Sequence, residues 1–230
     1  AHALNILGLN VTVPHKERVL PLLDGIDPLA ERIGAVNTLV RTERGYRGYN
    51  TDMPGLYRAM VSDGVQVDKE SVIILGAGGV ARAVAFMLAD RAEKIVLLNR
   101  TVEKAAAIAQ EVNAFTGRET TSAMPISDYG KLAGGGYIAI QATNVGMYPD
   151  MDSVVISDKA FYEKVKIGYD LIFNPADTLF MRKVREAGGL SYNGLKMLLY
   201  QGIIAYELWN DVKITEEQVL WVYDRLKERI

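Results

Sequence analysis

The sequence predicts an α/β protein of two domains: a small N-terminal α/β unit and a larger, doubly wound parallel sheet, with C-terminal helices returning to the small unit. Three observations carry this. From about residue 71, short apolar runs alternate with helical stretches, the rhythm of right-handed crossovers between parallel strands. The residues before it read as a strand, a short helix, a hairpin and a helix, a small α/β unit with its polar residues on one edge. After Gly194 the pattern is helical to the end. The resulting division is 1–65, 66–194 and 195–230.

In the first unit Leu9, Val11 and Val13 alternate with Asn10 and Thr12, predicting a strand that Pro14 stops, and a short helix follows over 16–20. Val36–Val40 and Tyr46–Asn50 flank a turn at Arg44-Gly45 and read as a hairpin. Period-two alternation places Asn50 and Asp52 on one side. Pro54 suits the first turn of a helix ending at Asp63-Gly64.

Val72-Ile73-Ile74-Leu75 runs straight into glycines, as a strand buried on both faces does. A helix over 79–89, a strand over 94–98 and a helix over 101–113 follow. Further strands are expected at 120–124, 137–141 and 167–173. A helix over 178–187 ends at Gly188-Gly189 before a last strand at 190–192. Asp170 reads as an edge residue and Asp177 as a cap. Residues 195–209 are apolar nearly all round and are expected to be buried on most sides. Thr215-Glu216-Glu217-Gln218 is a capping box. Its helix carries a stripe of Val219, Val222, Tyr223, Leu226 and Ile230, expected to pack on the N-terminal unit and to leave a cleft between the two domains.

Composition excludes several classes. Among 230 residues Lys plus Arg number 26 against 28 Asp plus Glu, a formal charge of −2, so the basic excess of a nucleic-acid binder is absent. There is no Cys, which removes disulfides, thiolate metal sites and cysteine nucleophiles. With only His2 and His15, no metal site is expected. His15 reads as a loop side chain rather than a base. No apolar run reaches the roughly 20 residues a membrane helix needs, because Arg82 interrupts the longest at 72–89. The N-terminus has no secretory pattern. No membrane partner is expected.

The glycines after the first strand of the larger domain carry chemistry. Gly76-Ala77-Gly78-Gly79-Val80-Ala81 fits G-x-G-x-x-A between a strand and a helix. Gly76 allows the tight turn, Gly78 lets a pyrophosphate approach the backbone, and Ala81 permits close helix–strand packing. The helix start offers unpaired N–H groups to phosphate. This marks a Rossmann-type dinucleotide domain, a purely structural turn being the alternative. At the end of the second strand stand Asn99-Arg100-Thr101 with Lys104 a turn later, where an NAD-binding domain carries an acid for the ribose. A guanidinium pairs with a 2′-phosphate through two bonds, so the cofactor read here is NADP, a solvated basic helix start being the alternative.

Outside that domain, Lys16 and Asp52 at the ends of neighbouring strands form a candidate proton-handling pair for an alcohol–ketone interconversion. Each taken singly is also compatible with a surface charge. Gln201 is a polar residue on an otherwise apolar helix and needs either a ligand or a structural hydrogen bond.

Eight motifs run in one order along the chain: Asn10-Val-Thr-Val-Pro-His-Lys16, Gly34-Ala-Val-Asn-Thr38, Asn50-Thr-Asp52 with Gly55, Gly76-Ala-Gly-Gly79, Asn99-Arg-Thr101, Ala142-Thr-Asn-Val-Gly-Met147, Asn174-Pro175 with Thr178, and Gly194-Leu-Lys-Met-Leu-Leu-Tyr-Gln201. Together they resemble the shikimate dehydrogenase family. The resemblance implies NADPH-dependent reduction of 3-dehydroshikimate to shikimate, for aromatic amino acid biosynthesis in the cytoplasm. It implies Lys16 as the catalytic lysine with Asp52 as its partner, as a base or as an orienter. Thr12, Asn37, Asp52, Phe173 and Gln201 would contact substrate. Gly76, Ala77, Gly78, Gly79, Val80, Asn99, Arg100, Thr101, Lys104, Leu171 and Gly194 would contact the cofactor, with Thr143 and Met197 near its nicotinamide.

Two departures stand out. The family's N-terminal Ser-x-Ser-Pro motif, which holds the substrate carboxylate, is absent, and a preceding segment of about a fifth of a family member is expected to be missing from these residues. Phe173 stands where the family usually has Tyr, at the loss of about 0.5–1.5 kcal/mol of hydrogen bonding to substrate. A dehydrogenase of quinate or a related cyclic polyol acid, or a silent NADP-binding protein, are the competing readings, and a homodimer is open to the fold.

Overall fold

The computed structural model describes residues 1–228, and the predicted contribution of Ile230 to the last helix lies outside them. The chain divides into two compact units: Ala1–Ala59 with the chain from Lys196 onward, and Met60–Leu195.

The larger unit is built on a six-stranded sheet whose pairings are all parallel. In chain order its elements are β5 (Ser71–Leu75), α3 (Gly79–Leu88), β6 (Lys94–Asn99), α4 (Val102–Thr116), β7 (Thr121–Pro125), β8 (Tyr137–Gln141), α5 (Lys159–Tyr162), β9 (Val165–Asp170), α6 (Leu179–Glu186) and β10 (Leu190–Tyr192). The spatial order is β10-β9-β8-β5-β6-β7. Strand order therefore reverses between β5 and β8, and the crevice beyond their carboxyl ends is where doubly wound sheets bind ligands. Val72, Ile73, Ile74 and Leu75 are fully buried, as expected of a strand covered by helices on both faces. The short helix α5 escaped the sequence pattern because four residues show no helical period; Asp158 caps it through Ala160 N.

The smaller unit has a four-stranded sheet of order β1-β3-β4-β2, with β1 (Gly8–Asn10), β2 (Gly25–Ile26), β3 (Thr38–Arg41) and β4 (Tyr46–Tyr49). The expected hairpin is present as the antiparallel pair β3–β4. Ala30, Val36, Leu39 and Tyr46 form its core.

Several expectations fail, each for a local reason. The first strand ends at Asn10 rather than Val13, because β3 begins at Thr38 and offers no partner beyond Val11, whose N–H meets Asn37 O at 2.8 Å. The segment 16–20 forms turns and then a 3-10 turn at Leu20–Leu22; it is too short to nucleate a helix, and Pro21 lacks the N–H to extend one. A helix α1 (Pro28–Ile33) appears where none was expected, although Asp27 as N-cap, Pro28 at the first position and Gly34 beyond the end were all legible. Asp52 is not on a strand: it opens α2 (Asp52–Ser62), since Asn50 Oδ1 accepts the N–H groups of Asp52 and Met53 at 3.1 and 3.3 Å and starts the helix. Asp170 is no edge residue either, because β10 covers β9 on that side. It is fully buried, and the cap of α6 is Thr178, not Asp177.

Helix α7 (Leu195–Asn210) docks on the small sheet, with Trp209 Nε1 donating to Leu39 O at 2.9 Å and Arg58 on α2 paired with buried Glu207 at 3.2 Å. Its opposite face is not buried as expected. Leu198 and Tyr206 are exposed, at the apolar groove that α7 shares with α8 (Glu216–Lys227). The capping box at Thr215 and Gln218 forms as read. Val222 and Leu226 of the α8 stripe line an apolar groove against α7, with Tyr200 bonded to Glu216 and Lys196 over the Tyr223 ring, and α8 belongs to the same compact unit as Ala1–Ala59. No helix among the described residues is long and apolar enough to cross a membrane.

Burial pushes the Asp170 carboxyl up to about 6, despite hydrogen bonds from Thr178 and Ile172 that favour its charged form. Against an ordinary value of 3.8, the native chain holds this proton where the unfolded chain has lost it. Stability from this group is therefore full below about pH 4 and lost as pH rises to about 6. Asp170→Asn cannot titrate, so its stability relative to the parent is expected to improve across that range by on the order of 3 kcal/mol, read from urea melts. A constant difference across the range would show that Asp170 does not titrate so.

Candidate active site

In the smaller unit four of the predicted residues converge. Lys16 follows the turn made by His15 N bonding to Thr12 O, and its own carbonyl accepts Val36 N at 2.9 Å. That pairing ties the Lys16 segment to the residue before Asn37. Lys16 Nζ then reaches Asp52 Oδ2 at 2.6 Å, with each side chain about a quarter exposed or less. Asp52 Oδ1 accepts Asn37 Nδ2 at 2.9 Å, so each carboxylate oxygen meets a donor. Gln201 Oε1 lies 3.4 Å from the same amide nitrogen, and Gln201 Nε2 donates to Leu198 O.

Asn37 is the node. Its Oδ1 accepts the backbone N–H of Thr51 at 2.8 Å, which fixes which end of the amide is oxygen. Thr38 and Thr51 close the cluster, each with its hydroxyl on Asn37 Oδ1 at 3.1 and 3.2 Å. Both threonines are buried, at 0 and 1% exposure, and sequence reasoning gave neither a role. The signal was present, since a threonine inside an apolar pattern has to find a polar partner. Thr12 is exposed and its side chain joins none of these bonds.

Gly55 has a role that no motif reading supplied. It faces α7 one turn after Asp52, and a Cβ there would lie 2.8 Å from Gln201 N and 3.0 Å from Gln201 Cα. Only a bare backbone lets α2 and α7 approach closely enough for Gln201 to meet Asn37.

In the larger unit the glycine turn lies at the carboxyl end of β5. Gly76 has φ +114°, open to glycine and strained for other residues, and its N–H bonds to Leu98 O at 2.9 Å. A Cβ on Gly76 would also come within 2.9 Å of Thr143 Cγ2, so the turn after β5 and the turn after β8 nearly touch at the switch point. Gly78 caps α3 without a side-chain bond, leaving the first N–H groups of the helix to a ligand. Around Gly78 and Gly79 a Cβ would meet nothing within 4 Å, an open cradle that fits a pyrophosphate. Ala77 is half-buried and Val80 exposed, while Ala81 is fully buried against the sheet.

Asn99 ends β6 and donates to Thr101 O at 2.8 Å, shaping the turn into α4. Arg100, Thr101 and Lys104 are exposed there, and neither basic side chain has a carboxylate partner among the described residues. Both are free to meet a phosphate. Thr143 is held by Gln141, which accepts its N–H at 2.8 Å and its hydroxyl at 2.7 Å. Leu171, Phe173 and Gly194 belong to the carboxyl side of β9, with Gly194 packed on the Leu171 carbonyl. Strand β9 ends at Asp170, so Leu171 and Phe173 lie on a loop and not in the strand expected at 167–173. Met197 is in the first turn of α7 and is half-buried.

The sequence family described as shikimate dehydrogenase substrate binding domain matches residues 1–39, and that described as shikimate / quinate 5-dehydrogenase matches residues 59–148. The shikimate dehydrogenase (NADP(+)) of Geobacillus sp. (strain WCH70) is 41% identical over 212 residues, 91% of this chain and 75% of the relative. The chain belongs to the shikimate dehydrogenase family. Among solved structures, a shikimate dehydrogenase in complex with NADP+ superposes with TM-score 0.87 at 36% identity, over 99% of this chain and 78% of that one. The shikimate 5-dehydrogenase of Thermus thermophilus, in complex with NADP(H) and shikimate, gives TM-score 0.81 at 32% identity, over 96% and 79%. The doubly wound sheet with its glycine turn is thus the family's dinucleotide fold.

Gly55→Ala tests the close approach of α2 and α7. In an open helix this change stabilises by about 0.5–1 kcal/mol. Against the Gln201 backbone it is expected to destabilise by about 1–3 kcal/mol instead, measured by urea denaturation. A stabilised variant would refute the contact.

Proposed function

We propose that this chain catalyses the reversible, NADPH-dependent reduction of 3-dehydroshikimate to shikimate. The observation that carries the reading is the Lys16–Asp52 pair at 2.6 Å, held by Asn37, in a chain whose relatives bear that activity in their names. On this reading the smaller unit holds substrate and the larger one holds cofactor.

NADPH, when bound, supplies hydride to the carbonyl carbon. The chain's residues handle the proton. The Lys16 ammonium donates one proton to the carbonyl oxygen as negative charge develops there, and takes it back in the reverse direction. Asp52 keeps both oxygens engaged, one by Lys16 and one by Asn37, which suits an orienting partner more than a second base. A substrate hydroxyl replaces the long Asn37–Gln201 contact, drawing on the amide of either residue. Thr12, exposed on the turn before Lys16, and Phe173 complete the substrate contacts. Phe173 offers a ring in place of a hydroxyl.

The glycine turn of Gly76–Val80 and the bare start of α3 would hold the pyrophosphate. Arg100 and Lys104 would hold the 2′-phosphate, with Asn99 and Thr101 shaping their turn. Thr143, Leu171, Gly194 and Met197 would line the nicotinamide end. The cytoplasm, where cells regenerate NADPH, is the compartment this activity calls for. Quinate is the second substrate to test, since the family matched over residues 59–148 is described for both acids.

Lys16→Ala is expected to lower kcat with shikimate by about 10²–10⁴-fold and to leave NADP affinity unchanged. Steady-state kinetics with calorimetry checks both, and normal turnover removes Lys16 from the mechanism. Arg100→Ala is expected to weaken NADP by about 10–100-fold, the scale of charge-assisted hydrogen bonds, with little change for NAD. An equal loss for both cofactors would reject the 2′-phosphate contact.

A further inference from the structure

Strands β8 and β9 end in a matched pair of buried polar residues. Gln141 and Asp170 are register partners, and their exposures are 1 and 0%. Each folds back over the turn that follows its own strand. Gln141 takes the N–H and hydroxyl of Thr143 and donates to Val145 O at 2.9 Å. Asp170 takes Ile172 N on Oδ1 at 3.0 Å and the Thr178 hydroxyl on Oδ2 at 2.7 Å. Thr178 in turn accepts Met181 N at 3.3 Å as the cap of α6.

Asp170 thereby closes the loop 171–178 at both ends. Further ties to this loop run from outside it: Gly194 N donates to Ile172 O at 2.9 Å, Asn193 Nδ2 to Ala176 O at 2.8 Å and Tyr148 N to Asn174 O at 3.3 Å, while Arg182 and Arg185 hold Asp177. At Gly194 a Cβ would come within 2.3 Å of Leu171 O, so the loop is also clamped from the start of α7.

A carboxylate is a costly way to build this joint. Asp170 has no lysine or arginine partner among the described residues, and burying an unpaired charge costs more than burying an amide. Thr178 could cap α6 alone. What the carboxylate adds is two acceptor oxygens aimed at two donors, which an amide of the same shape cannot match, because one of its ends is itself a donor.

We propose that Asp170, acting through Thr178, is a positioning residue for the nicotinamide half of the cofactor. The proposal rests on the NADP reading above. With the pyrophosphate at the β5 turn and the 2′-phosphate at Arg100 after β6, the adenosine half lies over β5 and β6. The second mononucleotide then lies across the switch point, over the ends of β8 and β9. The loop that Asp170 closes is the β9 border of that place and carries Leu171 and Phe173. Asp170 touches neither cofactor nor substrate; it holds what does.

The test separates the two halves of the cofactor. Affinities of NADP+ and of 2′,5′-ADP, which lacks the nicotinamide half, are measured by calorimetry for the parent, Asp170→Asn, Thr178→Val and Thr178→Ser. Asp170→Asn and Thr178→Val are expected to weaken NADP+ by about five-fold, the scale of one lost hydrogen bond, while 2′,5′-ADP stays within about two-fold. Thr178→Ser keeps the hydroxyl and is expected to bind both like the parent. Equal weakening of both ligands, or no change for NADP+, overturns the proposal. Should Asp170→Asn not fold, the contrast between Thr178→Val and Thr178→Ser decides it. A parent chain that binds neither ligand would instead bring down the NADP reading, and this proposal with it.

Discussion

The Asn37 amide is the constraint on which the reactive part of the smaller unit depends. It is nearly buried, and its oxygen and nitrogen meet groups from β3, from the turn before α2 and from α7. A buried amide must satisfy its hydrogen bonds, and here it can do so only when those three segments are in register. The position of Asp52, and through it of Lys16, follows from that requirement. Gly55 makes the same geometry sterically possible by letting the Gln201 backbone come close.

The larger unit reaches its precision by different means. Its central strands β5, β6 and β8 are apolar and almost wholly buried, and β8 and β9 turn polar at their carboxyl ends. There the glycine turn after β5 presents bare backbone, whereas β8 and β9 end in Gln141 and Asp170, whose side chains hold the turns that follow. One border of the crevice is open to a phosphate and the other is fixed by internal bonds. A long, two-ended ligand suits such a division.

Lys16 and Asp52 also show how a modest ion pair gains directional value. Both side chains keep some contact with water, so the pair adds little to stability. Its worth lies in orientation: Asn37 occupies the second carboxylate oxygen and leaves Lys16 one place to go. The ammonium is thus held at a set point without being sealed from a substrate.

Residue types and spacing alone determined the alternating α/β architecture, the glycine turn, the basic residues after β6 and the capping box at Thr215. Each is a local rule read within a few residues: an apolar run, a small residue where a backbone must approach, a charge in place of an acid. The convergence of Lys16, Asn37, Asp52 and Gln201 could be named from motifs but not given a shape, because 164 residues separate Asn37 from Gln201 and no local rule fixes their distance. The same limit explains the errors. Val11 and Val13 alternate like a strand, yet a strand also needs a partner, and β3 supplies none there. Asp170 reads like an edge because nothing near it in sequence announces that β10, folding back after α6, makes β9 an interior strand. Periodicity tells a chain which face to bury; only the assembled sheet decides what that face meets.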